Sequence, residues 1–119
     1  MPKHILLIYS DQERWAAVQP DEQGAIGAEY GAFSQELFDD GSFVAGDPLQ
    51  GIETAKTVAQ GGVVTDGPFA DITEHLGGYY VVDVPSMDDA VALAARLPGV
   101  GRGLDRIEVR PIMDFPGPA

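Results

Sequence analysis

No cysteine occurs among the 119 residues, which removes disulfides, thiolate nucleophiles and cysteine-based metal sites together. Positive charge is scarce as well. Seven Lys and Arg stand against nineteen Asp and Glu, a formal net charge of -12, and that field repels phosphate backbones and anionic bilayers. Nucleic acid and membrane surfaces are thereby excluded as direct partners, while solubility or a salty cytoplasm is the plain reading of the acidity. Long hydrophobic runs are missing too. Ile5–Tyr9 is too brief to span a bilayer and has no signal-peptide cleavage pattern beside it, so the expected location is the cytoplasm. No recognised metal-ligand spacing occurs, and no cofactor is expected. Gly99–Gly103, GVGRG, is not a phosphate loop, because no strand leads into it and no helix leaves it.

What is there suits one domain. A 45% hydrophobic content over 119 residues builds a single core, expected over residues 1–114 with a tail at 115–119. His4–Ser10 is a strand whose two alternating sets are both largely apolar, so both faces need cover. Asp11–Gln19 reads as a polar connection carrying the only Trp, Trp15. Pro20-Asp21-Glu22 opens a helix, since proline needs no amide partner in the first turn and carboxylates favour the positive end of the dipole. Ile26, Tyr30, Phe33 and Leu37 then fall on one stripe. Gly24, Gly27 and Gly31 oppose helix formation, which implies frayed early turns or close packing on a neighbour.

Phe43–Ala45, Thr54–Val58 and Gly61–Thr65 read as an irregular second strand region with a small excursion. Val63–Tyr80, VVTDGPFADITEHLGGYY, reads as strand, polar turn and strand, that is, a hairpin. Tyr79–Val84 is a strand stopped by Pro85. Ser86 starts a second helix with Met87, Ala90, Val91, Ala94 and Leu97 on its buried side, and Ile107–Met113 is the last strand. The order strand, helix, strand, strand, helix, strand predicts an α+β fold, a four-stranded antiparallel sheet with both helices on one face. The other face would be an apolar patch, and a face-to-face homodimer is the simplest way to cover it. In that topology Tyr9, Ser10 and Asp11 share an edge with Asp66–Phe69, Gly77–Tyr79 and Ile107, together with Trp15. His4 falls at the opposite edge.

LLIY near the start, then TDGPFAD, LGGYYVVDVP and EVRPIM resemble, in order and spacing, the YCII-related proteins of the DGPF branch across nearly the whole chain. The resemblance implies a ferredoxin-like subunit in a dimeric α-β barrel. It also implies a mostly uncharacterised branch, often encoded beside extracytoplasmic-function sigma factors, with chloromuconolactone dehalogenases in a related branch. A helix-one His paired with an Asp is proposed as catalytic in the namesake branch. This chain has no His in that helix, and spacing from Gly41 puts the matching position near Glu29. Asp71 stands where the branch usually has Glu, Glu74 keeps its second acid, and His75 replaces a common Gln.

Asp66 and His75 are the candidate catalytic residues. A carboxylate partly desolvated near Phe69 and Tyr79 would serve as a base, and an imidazole is the one ring that shuttles protons near neutrality. The plainer alternatives are an aspartate capping its own turn and a loop histidine in solvent. Tyr9, Tyr79, Glu74 and Arg110 are the candidate substrate contacts, against core packing for the tyrosines and ion pairing for the arginine. Two functions follow from these residues. One is a cofactor-free lyase or isomerase moving a proton on a small carbonyl, lactone or aromatic-derived acid. The other is a non-catalytic dimeric module that binds a small molecule or a protein partner such as a sigma factor.

Overall fold

A computed structural model describes residues 2–70 and 73–115. Asp71 and the tail beyond Phe115 lie outside the described residues. The chain runs β1 (Lys3–Asp11), α1 (Gln12–Ala16), α2 (Pro20–Asp39), β2 (Phe43–Pro48), β3 (Lys56–Ala59), β4 (Val63–Asp66), β5 (Glu74–Asp83), α3 (Met87–Ala95), α4 (Pro98–Gly101) and β6 (Asp105–Pro111). It is a mixed α+β fold around a four-stranded antiparallel sheet of order β2-β5-β1-β6.

Alternation along β1 decides which side each residue serves. Leu6 and Ile8 are buried against the helices, whereas Ile5, Leu7 and Tyr9 face outward and are half-buried. Tyr80 and Val82 of β5 join Leu6 and Ile8 in a core closed by Phe33 and Leu37 of α2 and by Ala90, Ala94 and Leu97 around α3. Phe33 meets the Tyr80 ring edge-on at a centroid separation of 5.8 Å, the geometry that the ring quadrupoles favour. His4 is buried at the far end of the same face. Ser86 caps α3, its hydroxyl accepting the Asp89 amide at 3.2 Å, and Pro20 sits in the first turn of α2, both as the residue types require.

Three expectations are corrected. Met87 and Val91, expected on the buried side of the second helix, are exposed, and Ala90 and Ala94 alone within α3 are buried. Asp11–Gln19 is not all loop, because Asp11 accepts the Arg14 amide at 3.1 Å and caps a short helix that carries Trp15. The hairpin across Asp-Gly-Pro-Phe does not form. Val63–Asp66 pairs with Lys56–Ala59 in a separate two-stranded ribbon, and the strand beside β5 is Phe43–Pro48. Glycine chemistry explains the ribbon: Gly61 and Gly62 adopt φ of 80° and 77°, values closed to most side chains, and turn the chain sharply between Ala59 and Val63. Pairing with the nearest strand then costs less loop entropy than pairing across a longer connection.

Candidate functional site

The strand ends that meet beside α2 build a cleft of about 460 Å³. Ile8 and Ser10 form its floor, Trp15 of α1 and Tyr30 and Ser34 of α2 rise on the helix side, and Tyr80 and Asp105 complete it. Glycines keep it open. Gly27 and Gly31 border it from α2, and an added β-carbon at either would meet nothing within 4 Å. Those two glycines are thus spaces left in the surface of a continuous helix, neither the frayed turns nor the close packing expected of them. Gly46, Gly77 and Gly78 border it from the sheet, where the chains approach closely: a β-carbon on Gly46 would lie 2.7 Å from the Tyr80 ring and one on Gly78 3.1 Å from the Asp47 carbonyl oxygen. Gly77 is the extra residue of a bulge where Ile8 pairs with Gly78 and Tyr9 with Leu76, and a side chain on Gly77 would strike the Ser10 hydroxyl, 2.8 Å from its ideal β-carbon.

Asp105, only 6% exposed, is the chemical centre. Oδ1 accepts the Ser10 hydroxyl at 2.7 Å and the Trp15 indole N–H at 2.9 Å, and Oδ2 accepts the Tyr30 hydroxyl at 2.6 Å. Three elements, β1, α1 and α2, therefore converge on one carboxylate, as a buried charge requires. The Tyr30 oxygen in turn accepts the Gly99 amide at 3.2 Å. Burial, and then the hydrogen bond to the Asp105 carboxylate, push the Tyr30 phenol well above its ordinary range, so it stays a donor under physiological conditions. Above it the Ser34 and Tyr80 hydroxyls share a 2.6 Å hydrogen bond.

Most residues singled out from the sequence lie elsewhere. Asp66 stands on the ribbon with its side chain 87% exposed, 2.6 Å from Lys56 Nζ, and neighbouring Phe69 is 90% exposed. The desolvation expected at that corner is absent, and the carboxylate is engaged by lysine instead of by its own turn. Gly67 makes that turn with φ 91°, its amide donating to the Ala55 carbonyl at 2.7 Å. His75 is not a loop residue: it sits on β5 opposite Ser10 and is buried at the end of the sheet. Glu74 is 3.4 Å from Arg106, and Arg110 is 3.9 Å from Glu108. Arg106, Arg110 and Tyr9 belong to the outward face. Tyr79 alone of the six borders the cleft. Its hydroxyl donates to Asp47 at 3.1 Å, a bond that raises the Tyr79 pKa.

The position anticipated for a helix-one histidine resolves differently from spacing. Glu29 turns outward to Arg102, 2.7 Å away, while the next residue, Tyr30, makes the contact between this helix and a buried aspartate. Trp15, Tyr30, Ser34, Tyr80 and Asp105 were missed as site residues. The signals were the lone Trp and a Tyr on the buried stripe of an otherwise apolar helix face. Among the described residues no group of three His, Asp or Glu side chains is placed to hold a metal, and no helix is long and apolar enough to cross a membrane.

The chain belongs to the YCII-related domain family, whose model matches residues 3–116. An uncharacterized protein of Rhizobium meliloti (strain 1021) is 27% identical over 112 residues, covering 92% of this chain and 90% of that one. Among solved structures, 5-chloro-2-hydroxyhydroquinone dehydrochlorinase from Burkholderia phenoliruptrix, in complex with 2,5-dihydroxybenzoquinone, is similar with a TM-score of 0.46 and 17% identity, over 89% of this chain and 90% of that one.

Proposed function

We propose that the protein is a small cofactor-free enzyme of the lyase or isomerase kind, moving a proton on a ring-shaped carbonyl, lactone or phenol held between α2 and the sheet. Asp105 is the observation that carries this reading: a nearly buried carboxylate, fixed by three donors, beside an open cleft. A desolvated carboxylate at the wall of a mostly apolar cavity is the arrangement acid–base chemistry needs. The Ser10 hydroxyl is a rotor. When it turns to a substrate oxygen, Trp15 and Tyr30 keep the carboxylate in place and the lone pair that Ser10 vacates on Oδ1 can accept a proton from carbon or hydroxyl. The Ser34–Tyr80 pair supplies a donor for the oxygen on which charge develops. Returning the proton to another atom of the same molecule isomerises it, and loss of a leaving group makes the step an elimination.

Asp66 and His75 as proton carriers, with Tyr9, Tyr79, Glu74 and Arg110 as contacts, are the rival assignment of the same chemistry. Turnover of a panel of small carbonyls, lactones and phenols by Asp105→Asn, Asp66→Asn and His75→Gln separates the two. Loss of about 10²-fold or more in Asp105→Asn alone supports the cleft carboxylate. Loss confined to Asp66→Asn or His75→Gln transfers the role. Equal turnover in all three removes proton transfer by any of them.

A second reading, a non-catalytic binding module, is favoured by the fact that both Asp105 oxygens are already engaged. In either case we propose a homodimer in which Ile5, Leu7, Tyr79 and Val81, all half-buried on the outward face, cover one another. Leu7→Asp should then convert a dimer to a monomer in sedimentation velocity. A wild-type monomer at working concentration contradicts it.

A further inference from the structure

We infer that the cleft is built for an aromatic ligand free of negative charge, a phenol or an aromatic amine, and that it turns away aromatic acids. This rests on the cleft being the binding site, and it narrows the ligand class expected from the sequence by discarding the aromatic-derived acid.

Two observations carry it. Among the described residues no Lys, Arg or His borders the cleft, whose buried carboxylate is Asp105 with the phenols of Tyr30 and Tyr80 beside it. Nor is a spare Lys or Arg at hand. Of the seven Lys and Arg, six are held in ion pairs: Arg14 by Asp11, Lys56 by Asp66, Arg96 by Glu36, Arg102 by Glu22 and Glu29, Arg106 by Glu74 and Arg110 by Glu108. The seventh, Lys3, pairs across the sheet with Asp83 at the end away from Ser10 and Asp105. A carboxylate or phosphate entering the cleft would find no Lys or Arg as counter-charge. It would approach Asp105 in a partly desolvated space where like charges repel more strongly than in water, within a chain whose formal charge is -12.

The walls fit the complementary class. Trp15, Tyr30 and Tyr80 border the space, and indole and phenol rings offer flat apolar area and a negative face that a protonated amine finds favourable. Phenolic or amino hydrogens on a ligand match the acceptors present, whereas an anion brings only further acceptors to a site already rich in them.

Three probes of one shape test this: tyramine, para-cresol and para-hydroxyphenylacetate, titrated into the wild-type protein and into Gly31→Leu by calorimetry. The amine and the neutral phenol should each bind on the order of tenfold or more tighter than the acid, with the gap narrowing as salt is raised. Gly31→Leu, which fills the cleft, should abolish binding of both. An acid that binds as tightly as the other two, and is lost in Gly31→Leu, overturns the charge inference while leaving the cleft as the site. Binding of none of the probes, or binding that survives Gly31→Leu, overturns the cleft reading and the inference with it.

Discussion

Gly99 stands so close to Asp105 that an ideal β-carbon on it would lie 1.7 Å from Oδ2, and 2.8 Å from the Tyr30 hydroxyl. The start of α4 thus closes the site from behind, leaving room for a backbone hydrogen and nothing larger. A buried carboxylate, a phenol and a main-chain amide are locked together there, and the cleft lies on their other side.

Gly99→Ala should accordingly destabilise the fold by about 1–3 kcal/mol, because the methyl must displace a carboxylate already held by three donors. A lowered urea midpoint together with altered fluorescence of Trp15, the only Trp, is the expected result. An unchanged midpoint contradicts the packing described.

Gly31→Ala should do the opposite. No atom lies within 4 Å of the added carbon, so the helix gains about 1 kcal/mol of propensity without steric cost. Chemical denaturation of Gly27→Ala and Gly31→Ala measures it. Stabilised variants with weakened ligand binding would show that these glycines serve the cleft at the expense of the helix.

Tyr30 makes stability fall at alkaline pH. Its folded pKa is raised, first by burial and then by the Asp105 hydrogen bond, so the native state holds the proton more tightly than the unfolded chain does. The resulting stabilisation is complete below the ordinary phenol value of 10.0 and is lost as pH rises above it. Urea midpoints between pH ~8 and ~11 should drop more steeply for wild type than for Tyr30→Phe, the ordinary phenol range being about 10. Parallel slopes would assign the alkaline loss elsewhere.

The β3–β4 ribbon should open first. A lone two-stranded hairpin is marginal in water, and this one exposes Val58, Val63 and Val64. Its amides, with that of Gly67, should exchange with solvent far faster than those of β1 and β5. Comparable protection in ribbon and sheet would indicate that something covers the ribbon, and a second copy of the chain is the first occupant to test by concentration dependence.

Local chemistry was readable where it acts over a few residues. The Ile26, Phe33 and Leu37 stripe, the Ser86 cap, the Pro20 start and the small strands around Gln60–Gly62 all follow from neighbours in sequence. Asp66 drew attention because Asp-Gly-Pro-Phe is a conspicuous string, yet its conspicuousness is that of a turn, made by Gly67 and standing in solvent. Asp105 drew none. As one of nineteen acids, between Leu104 and Arg106, it has the local look of a solvated strand end.

Composition and periodicity determined by themselves that this is a cysteine-free, strongly acidic chain of α+β fold whose first strand is apolar on both faces, since solvation and amphipathic spacing are properties of residues in order along a chain. Only the tertiary structure decided which carboxylate is withdrawn from water. Ser10, Trp15 and Tyr30 reach Asp105 across 95, 90 and 75 residues, and a hydrogen-bond cluster closed over such distances exists only once β1, α1, α2 and β6 have been packed into place.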